Sequence, residues 1–147
     1  MNFCISVLDL PIDEVYGEKC MWCQIQIGGF SERFSAPVEL WSINEYISQW
    51  KCAVEDIANG ASKGFLMAAM RNPDISDFLS VYTLYREADE VFVQNQIVLC
   101  NGNEEYIRRG DFIQLIEDRE TETEDGEKIS EWRTTVGQLK YFLEQLK

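Results

Sequence analysis

The segment Trp41-Ser42-Ile43-Asn44-Glu45-Tyr46 constrains this chain more than any other, because it marks a helix start in two independent ways. Ser42 followed three residues later by Glu45 is a capping box, in which each side chain accepts the other's free backbone N–H, and Trp41 and Tyr46 can staple across it. Behind that start Ile43, Tyr46, Ile47, Trp50, Val54, Ile57 and Ala58 recur at helical spacing, and Gly60 offers a left-handed exit. A helix from about Ile43 to Asn59 is predicted, and the rest of the chain must cover its apolar stripe.

What surrounds the helix reads as strand. Asn2 to Leu10 is rich in β formers and ends before Pro11, and the acidic stretch Asp13 to Glu18 reads as a loop. From Cys20 to Ile27 the odd positions Met21, Cys23, Ile25 and Ile27 form one apolar face. Gly28-Gly29 then turns the chain into a strand from about Phe30 to Ala36, which Pro37 stops. Past the helix, Gly64 to Met70, Asp77 to Arg86 and Glu90 to Cys100 are β-rich runs, the last two joined by a short turn at Glu87-Ala88-Asp89. Asp125-Gly126 between Arg119–Glu124 and Glu127–Thr134 predicts a two-residue type I′ hairpin. Thr135 with Gln138 is a second capping box, and Leu139, Phe142, Leu143 and Leu146 line one face of a terminal helix. The expected fold is α+β: an antiparallel sheet with at least two helices packed against it, as a single domain over 1–147.

Composition narrows the partners. Thirteen Lys and Arg against 26 Asp and Glu give a formal charge of -13, a negative field that favours a cationic partner and repels phosphate backbones and anionic membranes. Direct nucleic-acid and membrane binding are therefore not expected. A hydrophobic fraction of 46% is too high for intrinsic disorder. The first residues lack a basic n-region and meet Asp9, Asp13 and Glu14 too soon for a secretory core, and no run approaches a membrane span, so a cytoplasmic protein is expected. Five cysteines at irregular spacing (Cys4, Cys20, Cys23, Cys52, Cys100) read as reduced thiols.

The chain has no histidine, which removes Ser-His-Asp and Cys-His pairs, histidine-ligated metals and the commonest general base at neutral pH. Neither Gly28-Gly29 nor the Gly60 to Gly64 segment has phosphate-loop spacing. Cys20 and Cys23 have C-x-x-C spacing, but residues three apart on a strand face opposite sides, and no second thiolate pair accompanies them. Acidic pairs such as Asp13-Glu14, Glu104-Glu105 and Glu117-Asp118 lack calcium-loop spacing. No catalytic residue, metal or cofactor is expected.

The segment from Glu117 to Glu127 stands apart in acid density, with Arg119 alone to offset its carboxylates. On a strand Glu120, Glu122 and Glu124 would share one face, alternating with Thr121 and Thr123. Such a face is tolerable in solvent and favourable against a basic surface, which makes Glu117, Asp118, Glu120, Glu122, Glu124 and Asp125 the candidate partner-binding residues.

Three stretches, in order, carry a family pattern: Trp41 to Tyr46 with Gln49-Trp50; Tyr85-Arg86 before Val91-Phe92-Val93-Gln94-Asn95-Gln96; and Asp125 to Trp132 with Tyr141-Phe142-Leu143. In these the chain resembles the immunity proteins of bacterial contact-dependent growth inhibition systems. The resemblance implies a cytoplasmic antidote that binds the toxin domain of a cognate surface-delivered protein. Such toxins are often nucleases, and a nuclease that attracts phosphate is expected to be basic. The resemblance supplies no site residues, and Trp41 and Trp50 read as core within it. Two other readings remain open from the residues: an acidic adaptor or nucleic-acid mimic that binds a basic protein, and a histidine-free enzyme with a perturbed carboxylate or thiol in a pocket.

Overall fold

The structure is a computed structural model that describes residues 2–146. Its elements in chain order are β1 (Phe3–Val7), β2 (Asp13–Val15), β3 (Glu18–Ile27), β4 (Phe30–Pro37), α1 (Ile43–Ala58), β5 (Lys63–Ala69), β6 (Phe78–Glu87), β7 (Glu90–Leu99), α2 (Glu104–Arg108), a 3-10 turn (Phe112–Leu115), β8 (Trp132–Thr135) and α3 (Val136–Gln145). The fold is α+β, with every strand pairing antiparallel, and the strands divide into two four-stranded sheets. In the first, β1 and β2 lie end to end along one edge of β3 and β4 runs along the other. The second has the order β5-β6-β7-β8.

The expected loop over Asp13 to Glu18 is instead β2 and the start of β3. Val15 pairs with Glu18 across a two-residue turn in which Tyr16 and Gly17 both take positive φ, 50° and 81°. Turns of that hand suit the twist of the flanking strands, so a hairpin closes without the Asn-Gly or Asp-Gly signature. The alternation in β3 holds: Met21, Cys23, Ile25 and Ile27 are all buried.

α1 joins the two sheets. Its capping box forms in both directions, with Glu45 N donating to Ser42 Oγ and Ser42 N to Glu45 Oε1, and Trp41 meets Tyr46 edge to face at 5.3 Å. Three residues on one face of the helix then supply hydrogen bonds to the outer edge of β5. Gln49 donates to Phe65 O (2.9 Å) and accepts from Met67 N (2.8 Å), and the Trp50 indole N–H donates to Met67 O (2.8 Å). Just past β5, the Tyr46 hydroxyl accepts from Met70 N (2.9 Å) and donates to Pro37 O (2.6 Å) at the end of β4. A sheet edge inside a core would otherwise leave these backbone groups unpaired, at about 1–3 kcal/mol each. Phe34 of β4 continues the junction, its ring 6.2 Å from Trp50 and 5.6 Å from Tyr82 of β6. Trp50 is 2% exposed, and both sheets, α1 and α3 contribute to one buried apolar cluster. The Thr135 hydroxyl accepts from Gln138 N (3.2 Å), the forward half of the expected cap on α3, and Phe142 packs edge to face on Phe3 at 5.3 Å.

Cys20, Cys23 and Cys100 are buried, whereas Cys4 and Cys52 are exposed. Burial pushes the Cys23 thiol up to about 12, and burial likewise raises Cys20 and Cys100. A thiolate is the reactive form, so a disulfide reagent at neutral pH is expected to titrate Cys4 and Cys52 quickly in the native protein and all five thiols in denaturant. Fast native labelling of a third thiol would show that the region around β3 or Cys100 opens readily.

Candidate functional site

Beyond β7 the chain does not return directly to β8. Residues 101–131 cross the outer face of the second sheet, passing from the β5 side toward β8. α2 and the 3-10 turn, in a stretch to which the sequence reading assigns no element, start the crossing: Ile107 and Phe112 are buried, and Phe112 packs on Phe65 at 5.4 Å. Lys63 of β5 then donates to Ile116 O (2.6 Å) and lies 3.5 Å from the Asp118 carboxylate. The Tyr85 hydroxyl of β6 donates to Glu117 O (2.9 Å), and Gln94 of β7 donates to Glu120 O (2.8 Å). Each strand in turn therefore holds one point of the crossing by its backbone.

The firmest anchor is Arg119. Its guanidinium grips the Glu131 carboxylate with two bonds (2.6 and 2.8 Å), bonds Glu87 (2.5 Å) and lies over the Phe92 ring, 3.7 Å from its centroid. Gln94, fully buried, also donates to Glu131 (2.7 Å) and accepts from Gln96 (2.7 Å). The Arg119 hydrogen bond holds the Glu131 carboxyl below its ordinary value, against the opposing pull of desolvation. Arg119 is correspondingly raised, chiefly by the same bond.

All six candidate residues lie on this crossing and all six are exposed. Glu117 and Asp118 sit before the Arg119 anchor, Glu120 just after it, and Glu122, Glu124 and Asp125 on the hairpin beyond. The structure corrects two expectations about that hairpin. Residues 119–124 form no strand, and pairing is limited to a single bridge, Glu122 to Lys128, so the shared face expected for Glu120, Glu122 and Glu124 does not arise from strand alternation. An alternating Glu-Thr segment has no apolar side to lay on a sheet, and its like charges oppose close pairing. The turn also differs. Gly126 has positive φ (80°) but Asp125 does not, whereas type I′ requires both. Thr123 N donates to Glu127 O (2.8 Å) and Gly126 N to Thr123 O (2.9 Å), closing a three-residue loop of Glu124, Asp125 and Gly126.

The resulting electrostatics are one-sided. Seven carboxylates lie between Glu117 and Glu127, and Arg119, the one base in that stretch, is turned back onto Glu87 and Glu131 outside it. Lys63 reaches Asp118 at 3.5 Å, and the tip keeps its charge in solvent. The groups that burial perturbs most, Cys23, Tyr46 and Tyr82, are all driven toward their neutral forms. Among the described residues no three His, Cys, Asp or Glu side chains come together as a cation site, and no helix is long and apolar enough to cross a membrane. The arrangement is suited to presenting charge to a partner.

Sequence reasoning places the acids but misses the parts that hold them, Gln94 and the Arg119–Glu131 pair. The available signal was Gln94-Asn95-Gln96 inside an otherwise apolar strand, since polar residues in mid-sheet need partners.

The model of the CdiI N-terminal domain family matches residues 36–142. The immunity protein CdiI of Enterobacter cloacae subsp. cloacae is 29% identical over 134 residues, covering 88% of this chain and 89% of that protein. In a solved structure, the CdiA-CT/CdiI toxin and immunity complex from Enterobacter cloacae, one chain superposes with a TM-score of 0.84 at 28% identity, covering 98% of this chain and 97% of its own. The matched span runs from the end of β4 through the helix, the second sheet and the acidic crossing into α3, and with it the chain belongs to the CdiI N-terminal domain family, the immunity proteins of contact-dependent growth inhibition.

Proposed function

We propose that this protein neutralises a cognate contact-dependent growth inhibition toxin by stoichiometric binding in the cytoplasm, without catalysing a reaction. The toxin domain is basic, in keeping with a nuclease, and the acidic crossing at Glu117, Asp118, Glu120, Glu122, Glu124 and Asp125 steers it into encounter. Nucleic acid and membrane are not direct partners. The observation that carries this reading is the one-sided charge of the crossing: its arginine is folded back while its carboxylates stay in solvent. The similar immunity protein solved together with its toxin supports the choice of partner. Opposed charge across an interface raises the association rate more than it tightens the final complex.

The test pairs this protein with the toxin domain encoded immediately upstream of its gene. Co-expression should rescue growth where an unrelated acidic protein does not, and the two should co-purify. Stopped-flow association should slow by on the order of tenfold when Glu120→Lys, Glu122→Lys and Glu124→Lys are combined, with circular dichroism unchanged. Raising ionic strength from about 0.05 M to about 0.5 M should slow the wild type in the same way. A rate indifferent to both would remove the crossing from the encounter even if rescue persists; no rescue and no complex would overturn the antidote reading.

A further inference from the structure

The second sheet protects one of its edges and leaves half of the other open. Side chains of α1 take the outer edge of β5, whereas β8 covers β7 only from Glu90 to Val93. β7 runs on to Leu99, so its second half has β6 on one side and no strand on the other. The ladder fixes which backbone groups are left over. Cys100 N donates to Asp77 O across β6 and Val136 N to Asp89 O across β8, so even-numbered residues along β7 bond toward β6 and odd-numbered ones away from it. The N–H and C=O of Asn95 and Ile97 and the N–H of Leu99 therefore point out of the sheet, with no hydrogen bond among the described residues. Leu99 O accepts from the Asn103 side chain (2.8 Å).

Sheet edges are commonly blunted by a lysine, a proline or a bulge. The stretch Asn95-Gln96-Ile97-Val98-Leu99 has none of these, and its register against β6 is unbroken. It presents instead Ile97 and Leu99, 59% and 60% exposed, on the face of β7 that also carries Asn95. Phe78, the partner of Leu99 on β6, is exposed beside them.

Both ends of this open edge carry excess negative charge. At the β8 end stands the acidic crossing, tied to Gln94 through Glu120 O (2.8 Å), where residues 120–128 hold five carboxylates against one lysine. At the far end Asp74, Asp77, Glu104 and Glu105 stand against Arg108, which Asp74 and Glu105 already hold. The other arginines nearby are matched: Arg71 by Glu18 (3.0 Å), Arg109 by Asp111 (3.7 Å) and Arg133 by Glu90 (3.2 Å).

We infer that the open edge of β7 receives an extended, cationic segment of the toxin domain, which adds to the second sheet in line with β8. Its backbone bonds Asn95 and Ile97, its apolar side chains lie beside Ile97 and Leu99, and the alternate positions carry lysine or arginine toward the acidic crossing on the opposite face. The inference rests on the toxin-binding reading and states what the toxin presents to this surface. A second copy of this chain offers a similar edge but brings a formal charge of -13 and sets acidic ends against acidic ends, so the cationic strand is favoured.

The experiment follows amide hydrogen exchange by NMR in the isotope-labelled full-length protein, free and with the cognate toxin domain. In the free protein the amides of Asn95, Ile97 and Leu99 should exchange quickly and those of Gln96 and Val98, bonded to β6, slowly; in the complex the first three should slow by roughly tenfold or more. A complex in which they stay unprotected would overturn the inference. Protection in the free protein that grows with its concentration would assign the edge to a second copy and overturn it as well. Two variants test the backbone bond separately. Ile97→Pro removes the outward N–H and leaves the β6 ladder intact, a change that an edge strand tolerates, whereas Ile97→Ala removes only the side chain. From immobilised toxin domain Ile97→Pro should dissociate roughly tenfold faster than Ile97→Ala, and equal rates would count against strand addition. If wild type captures no toxin domain at all, the reading beneath the inference fails, a result distinct from capture without protection of the edge.

Discussion

Trp50→Ala should lose about 4 kcal/mol of folding stability, because it removes a buried indole and leaves a cavity at the junction of the two sheets. The side chain is 2% exposed and sits 6.2 Å ring to ring from both Phe34 and Tyr46. Its N–H is also the partner of Met67 O on the edge of β5. Small domains commonly hold about 5–15 kcal/mol in total, so this variant should sit near the limit of folding. Trp50→Phe separates the two contributions. It keeps most of the apolar bulk and orphans the Met67 carbonyl, for an expected loss of about 1–2 kcal/mol. Urea denaturation read by far-ultraviolet circular dichroism gives both values; a Trp50→Ala midpoint within error of wild type would mean that α1 does not couple the sheets.

The second large effect is expected at Arg119. Arg119→Ala strips Glu131 of its two-bond partner, opens one face of Phe92 and leaves a mostly buried carboxylate beside Gln94, for a loss of about 2 kcal/mol at neutral pH. Arg119→Lys should recover little of it, since an ammonium can neither grip a carboxylate with two parallel bonds nor stack flat on the ring. The pH dependence follows in sign. The Glu131 carboxyl is lowered in the folded state, so its contribution is fully present above the unfolded glutamate value of about 4.3 and is lost as pH falls through the lower folded value. The stability gap between wild type and Arg119→Ala should therefore be full at about pH 7 and shrink on acidification toward about pH 3. A gap that stays constant, or widens as pH falls, would show that the pair does not stabilise the ionised carboxylate.

What was legible in the sequence follows the range of the forces concerned. The α1 start, its Trp41–Tyr46 staple and the buried parity of β3 depend on neighbours within a few residues and were read correctly, and of the expected Thr135–Gln138 capping box the Thr135 half forms. The division of the strands into two sheets was not read, because β4 and β5 are separated by a helix whose side chains take over one sheet's edge, and nothing local marks which edges stay unpaired. β2 was hidden for a similar reason: its acids resemble a loop, and the pairing with β3 draws the turn into shape. The acids of the crossing were visible as a density of charge. Their anchor was not, since Glu87, Gln94, Arg119 and Glu131 are distant in the chain and meet only when β7 brings them together.

The way the crossing is held also bears on how far its own sequence could change. Every side chain from Glu120 to Lys128 points into solvent, and the segment is fixed at its two ends by Gln94, Arg119 and Glu131. No core position lies between those ends, so the tip can be rewritten without repacking anything. Lengthening it is also tolerable, because doubling a flexible loop costs only about 0.6 kcal/mol in closure entropy. The clamp thus acts as a socket: a different tip, of other charge or length, can be seated between the same two ends while the double sheet beneath it stays as it is.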